Sequence, residues 1–225
     1  MKRIKNLLDR IFIDGLSGMA QGLFATLIIG TIIQQIGTLV GGSTGDMIYA
    51  VGKVAAALTG AGIGVGVAAK FKESYLVVVS AATAGMVGAF ASKLLAGTVL
   101  VDGTMVFAGP GEPLGAFLAA YIGIECGHLV AGKTKVDILV TPIVTIGTGS
   151  LVGLLVGPGV SKIMTSLGAM INWGVEQQPF LMGIVVSVLM GMILTLPISS
   201  AALGIILNLS GLAAGAATVG CCCNM

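Results

Sequence analysis

The sequence predicts an all-α fold, a polytopic transmembrane helical bundle of about six or seven spans with broken or re-entrant elements. Three observations carry this. Mean hydropathy is +1.08, with 56% of residues hydrophobic and only 9% charged, where a soluble domain carries about a quarter charged. Apolar runs of about 20 residues recur along the chain, each long enough to cross a hydrocarbon core of about 30 Å. The 36 glycines fall largely inside those runs, where small residues let helix backbones approach closely.

The 225 residues read as a single membrane domain, with 1–16 as an amphipathic amino-terminal helix and 17–225 as the bundle, expected to be incomplete at its carboxyl terminus. In MKRIKNLLDRIFIDGL the charges Lys2, Arg3, Lys5, Asp9 and Arg10 interleave with Ile4, Leu7, Leu8, Ile11 and Ile13, the pattern of a helix lying on the membrane surface. A cleavable signal peptide shares the basic start. Asp9, Arg10 and Asp14 interrupt the apolar region, and the later run is long enough to span, which favours retention.

Spans are read at 17–40, 47–69, 75–100, 113–131, 136–157 and 180–208, with a further apolar stretch from 211 to the end. Gly60, Gly62, Gly64 and Gly66 form two overlapping GxxxG pairs, Gly149, Gly153 and Gly157 repeat the spacing, and Gly123 and Gly127 form another pair. Eight of the eleven Lys and Arg residues lie in the amino-terminal segment, in the 70–74 loop (Lys70, Lys72) and in the 132–136 loop (Lys133, Lys135). These alternate segments are cytoplasmic by the positive-inside rule, which puts the amino terminus inside. The opposite loops, 41–46, 101–112 and 158–179, carry Asp46, Asp102, Glu112 and Glu176 but only Lys162 as a base. Lys53 and Lys93 then sit near outer helix ends, where long side chains reach the headgroups.

Soluble-enzyme motifs are missing: there is no Walker loop, HExxH, nucleophile elbow or paired CxxC. No basic patch interleaved with aromatics points to nucleic acid. Cys126 and Cys221 to Cys223 lie in apolar surroundings and read as packing residues, so no metal or other cofactor is expected. The single histidine rules out a relay of several histidines.

An ionisable or polar group in the membrane is costly and therefore a candidate for function. Glu125 and His128 sit three apart and share a helix face, readable as a proton-sensitive pair or as a mutually satisfied structural pair. Glu112 stands among Gly109, Pro110, Gly111 and Pro113, a density of breakers that fits either a re-entrant element, with Glu112 binding a ligand hydroxyl, or an ordinary outer turn. Glu176 and Gln177 precede Pro179 in INWGVEQQPF, either as polyol-recognising groups or as part of an interfacial loop anchored by Trp173. In MILTLPISSAALGIILNLSG, Pro197 deprives the Ile193 carbonyl of its helical donor and breaks or kinks the helix. Either the break lines a cavity, with Ser199 and Ser200 capping the second half and Thr195 and Asn208 adding hydrogen-bonding groups to a substrate site, or Pro197 makes a purely structural kink. Gln21, Gln34 and Gln35 add neutral amides in the first span, a set that suits an uncharged, hydroxyl-rich ligand.

GLSGMAQGLFATLIIGTIIQQIG near the start and MGIVVSVLMGMILTLPISSAALGIILNLSGLAAGAATVGCCCNM at the end resemble the bacterial phosphotransferase-system enzyme IIC proteins, in the branch that includes perfringolysin-regulator-like membrane proteins. The resemblance covers most of the chain, and TLPISSAA and GLAAGAATVGCC are its most specific stretches. It implies a sugar-binding permease, commonly a homodimer, served by separate cytoplasmic IIA and IIB proteins that pass phosphate from phosphoenolpyruvate to the bound sugar. Glu112 and Pro113 loosely match the glutamate–proline dipeptide of better-known members. The leading expectation is thus an enzyme IIC-like permease for a sugar or similar polar metabolite. The alternatives are a membrane sensor or regulator that keeps the permease fold, and a proton-coupled organic-acid carrier using Glu125 and His128.

Overall fold

The structure is a computed structural model and describes residues 10–101, 104, 105, 107, 109, 111–193, 209 and 211–222. Helix dominates it. The chain divides into two compact units, Met1–Gly159 and Val160–Met225.

In the first unit, α1 (10–40) runs without interruption through a π turn at Arg10–Gly15, the α-helical Leu16–Leu23, a second π turn at Phe24–Ile28 and the α-helical Ile29–Val40. Helix is therefore continuous from Arg10 across the 16/17 boundary into the first span. Gly41 and Gly42, with φ of 65° each, reverse the chain in the left-handed region open to glycine, so the expected 41–46 loop shrinks to this turn. Next come α2 (Gly42–Ala57) and α3 (Thr59–Lys70), bent by 52° at Leu58. There the buried Thr59 hydroxyl donates to the Ala56 carbonyl at 2.6 Å, one turn back, a local bond that bends helices.

The unit continues through α4 (Tyr75–Ala89), the short α5 (Ala91–Leu95), an antiparallel hairpin of β1 (Leu100–Val101) and β2 (Thr104–Met105), and α6 (Pro113–Val130). The expected span 75–100 thus keeps only 15 helical residues before it breaks at Phe90. Then α7 (Asp137–Gln177) runs for 41 residues, so the stretch read as an outer loop at 158–179 is helical as far as Gln177. Its polar residues are absorbed within the helix, as where Thr165 donates to the Ser161 carbonyl at 2.8 Å. By length and apolar composition, three described helices can cross a membrane (Ile13–Val40, α6 and α7), or four with the bent α2–α3 pair counted as one span.

Glycine sets the helix contacts of this unit. A methyl on Gly18 would come within 2.7 Å of the Gly66 carbonyl, and one on Gly22 would collide with the Gly62 carbonyl, so α1 and α3 touch backbone to backbone. On the other side of α3, Gly60 and Gly64 meet Gly85 and Ala81 of α4. The two overlapping GxxxG pairs therefore face different neighbours. Gly30 with Gly52, and Gly37 with Gly45, join α1 to α2; Gly88 with Gly115 joins α4 to α6; Gly123 and Gly127 meet Thr145 and, for Gly123, Gly149 of α7. Leu23, Ile63, Val67, Val77 and Ile124 are fully buried between these contacts, while Leu39, Val79 and Leu155 are exposed, as a bilayer-solvated surface allows.

The turn from α3 to α4 has a left-handed residue other than glycine. Lys72 has φ 57°, its N–H donates to Ala69 and the Glu73 N–H to Ala68, the two bonds of a Schellman cap. Lys72→Gly is expected to raise stability by roughly 1 kcal/mol by removing this strain. Thermal unfolding in detergent reads it, and a lower midpoint would show that the lysine side chain outweighs the strain.

In the second unit, α8 (Pro179–Ile193) packs on α9 (Gly211–Cys222), with Gly220 against the Ser187 carbonyl. Val175, Val186, Ala213 and Ala217 form its buried cluster.

Candidate functional site

Two places in the first unit gather polar groups. The first is the return from α4 to α6. At 1.5 Å per residue, α4 is about 22 Å long, short of a hydrocarbon core of about 30 Å. The chain folds back over this early end: the Phe107 ring packs on Phe90 at 5.0 Å between centroids, and the Glu112 N–H donates to the Ala89 carbonyl at 2.8 Å. Gly111, at φ 72°, lies against the same carbonyl. Pro113 starts α6 at a position where its missing N–H costs nothing. Glu112 is thereby held half-buried at the amino end of an 18-residue helix, whose partial positive charge favours a carboxylate or an electron-rich ligand oxygen. Its backbone is in extended conformation and its side chain does not cap the helix.

The second gathering joins three segments that are distant in sequence. Glu73, in the α3–α4 turn, has a side chain only 5% exposed and receives Arg10 Nη2 on Oε1 at 3.4 Å and His128 Nδ1 on Oε2 at 2.8 Å. An ionised carboxylate only accepts, so against an ionised Glu73 the donor in the latter contact is His128 Nδ1. Arg10 also pairs with Glu125 Oε1 at 3.1 Å, an oxygen that is buried and lacks hydrogen-bond geometry. The Arg10 guanidinium lies 4.7 Å from the Phe71 ring centroid, and Phe71 meets Tyr121 edge-on at 6.0 Å. Glu125 and His128, singled out in the sequence, thus enter one network through Arg10 and Glu73, neither of which local sequence pattern marks.

An open groove of about 400 Å³ lies beside the second π turn, lined by Gln21, Ala25 and Thr26 of α1, and by Leu58, Ala61 and Val65 at and after the α2–α3 bend. Its walls are apolar apart from Gln21 and Thr26, and the Thr26 hydroxyl already donates to the Gly22 carbonyl at 2.7 Å. Gln34 is half-buried against α2 and Gln35 is exposed.

Glu176 and Gln177 belong to the second unit and are exposed at the end of α7, as is Trp173. Thr195, Pro197, Ser199, Ser200 and Asn208 lie outside the described residues. Cys126 is a free, half-buried thiol, and among the described residues no group of three or more His, Cys, Asp or Glu is placed to hold a metal ion.

A family model described as "Phosphotransferase system, EIIC" matches residues 13–225. A search of curated proteins and a search of solved structures each return no match.

Proposed function

Because the chain belongs to the phosphotransferase-system EIIC family, and is a permease component of that system, we propose that it binds a sugar or similar polar metabolite and carries it across the bacterial cytoplasmic membrane. The observation that supports this best is the early break of α4, with Glu112 drawn back onto Ala89 at the head of α6. Irregular backbone at membrane depth is tolerated where it lines a cavity or is buried in protein. A half-buried carboxylate there accepts hydrogen bonds from sugar hydroxyls, and bonds to a charged acceptor are the stronger kind.

In this reading Glu112 is the principal ligand in the first unit. Glu176 and Gln177, and by sequence Thr195, Ser199, Ser200 and Asn208, are further candidate substrate-binding groups on the second unit. The chain supplies recognition and passage, while IIA and IIB partners on the cytoplasmic side carry the phosphoryl group. Arg10, Lys70, Lys72, Lys133 and Lys135 belong to segments that come together around the Glu73 network or directly follow it, which supports reading that end as cytoplasmic and the amino terminus as inside. The functional form is taken to be a homodimer.

The test is ligand-induced thermal stabilisation of the purified chain across a panel of sugars and carboxylates, since binding to the native state raises apparent stability by mass action. At least one sugar is expected to stabilise it. Glu112→Gln is expected to weaken that ligand about tenfold or more, while changing the unliganded midpoint little. No response to any sugar, or an E112Q variant that binds as the wild type does, would sink the proposal. Binding without uptake into vesicles would move the reading to a sensor.

A further inference from the structure

We propose that Arg10, Glu73, Glu125 and His128 form a proton-dependent latch that fastens the start of α1 and the end of α6 to the α3–α4 turn. The geometry has three parts. Glu73 is the hub: its nearly buried carboxylate binds Arg10 through one oxygen and His128 through the other. The turn that presents it is strained, because Lys72 occupies the left-handed region, so its conformation needs support from outside the turn. The charges are out of balance, since two carboxylates face one guanidinium and Glu125 Oε1 is buried with an ion pair but no hydrogen bond.

A proton on His128 removes that imbalance. With the imidazole neutral the four groups sum to −1, and with it protonated they sum to zero. The His128–Glu73 contact then becomes a charge-assisted hydrogen bond. Imidazole is the side chain whose charge ordinarily changes near neutrality. The latch is therefore tighter on the acid side of neutrality and looser on the alkaline side, until the carboxylates themselves take up protons.

The other titratable or charged groups on the elements around it are Asp14 on α1, Lys70 and Lys72 at the turn, the exposed Tyr75 at the start of α4, Tyr121 and Cys126 on α6, and Lys133, Lys135 and Asp137 beyond α6. Asp137 is engaged elsewhere, accepting from the Gly132 N–H at 2.9 Å and the Thr141 hydroxyl at 2.6 Å. The two lysines at the turn are exposed, and solvent screens them from His128.

Hydrogen exchange of the full chain in detergent tests this, reading the Lys72 and Glu73 amides that hold the cap. After correction for intrinsic rates, wild-type protection is expected to be about threefold higher near pH 6 than near pH 8, a difference of the size of a partly exposed ion pair. His128→Gln keeps a donor for Glu73 but has no charge to change, and is expected to show equal protection at both. A wild type without the difference, or a variant that keeps it, overturns the proposal. Should the variant misfold, the wild type alone decides, because the chain has one histidine and its labelled imidazole gives one NMR titration. Titration and protection must then share a midpoint, and midpoints more than about one pH unit apart overturn the latch. Neither readout involves a sugar, so its failure is separate from failure of the transport reading.

Discussion

Gly22→Val is expected to lower stability by about 4 kcal/mol or more, enough to remove most folded, monodisperse protein from a detergent preparation. The first added carbon would collide with the Gly62 carbonyl and lie 2.8 Å from the Ile63 α-carbon. Both obstacles are backbone of α3, so no change of rotamer relieves them. The helices would have to separate, and Gly18 would lose its contact with Gly66 one turn away. In lipid this is costly for a particular reason: helix association there rests on close packing and dispersion, with little hydrophobic drive to hold separated helices together. Gly147→Ala is the control. It sits exposed on α7 with nothing within 4 Å of the added methyl, and alanine is the better helix former by roughly 1 kcal/mol. Comparable losses in the two variants would show that the cost comes from glycine replacement in general, not from the α1–α3 contact.

These glycines also show how far the fold was legible. The GxxxG pairs of α3 were visible as spacing, and spacing alone places two close-approach stripes on the helix. Which helix each stripe meets depends on partners 17 or more residues away, and only the structure gives those. Gly30 and Gly37, facing Gly52 and Gly45, escaped notice because their seven-residue spacing does not stand out in a glycine-rich chain. The helix through 158–177 was missed because Pro158, Lys162 and Trp173 carry loop-like and interfacial signals, while helices tolerate polar residues whose hydroxyls bond to the preceding turn.

Glu73 illustrates the same limit at a site. In sequence it is one charge beside two lysines, useful for orientation only. It becomes a hub because the left-handed Lys72 turns the chain so that its carboxylate meets Arg10 and His128. Glu112 was legible as a candidate from the start, because glycines and prolines clustered in an apolar stretch are a local signal. Its bond to Ala89 was not, since nothing local foretells that α4 stops after 15 residues.

That bond makes Gly111 the most sensitive position near Glu112. Gly111→Ala is expected to cost about 3 kcal/mol, combining strain at φ 72° with loss of the neighbouring hydrogen bond. The added methyl would lie 2.8 Å from the Ala89 carbonyl oxygen, the same atom that accepts the Glu112 N–H at 2.8 Å. Methyl and amide cannot both hold their places against it, so the segment must lift and take the Glu112 carboxylate with it. Gly109→Ala separates the two causes. It also stands in the left-handed region, at φ 82°, but a methyl there has nothing within 4 Å, so only the strain of about 1 kcal/mol applies. Thermal unfolding should therefore rank wild type above G109A and G109A above G111A. Sugar-induced stabilisation should survive in G109A and vanish in G111A. Equal midpoints for the two variants would mean that the Ala89 contact adds nothing beyond backbone strain, and full sugar binding by G111A would mean that Glu112 need not be held at Ala89 to serve the site.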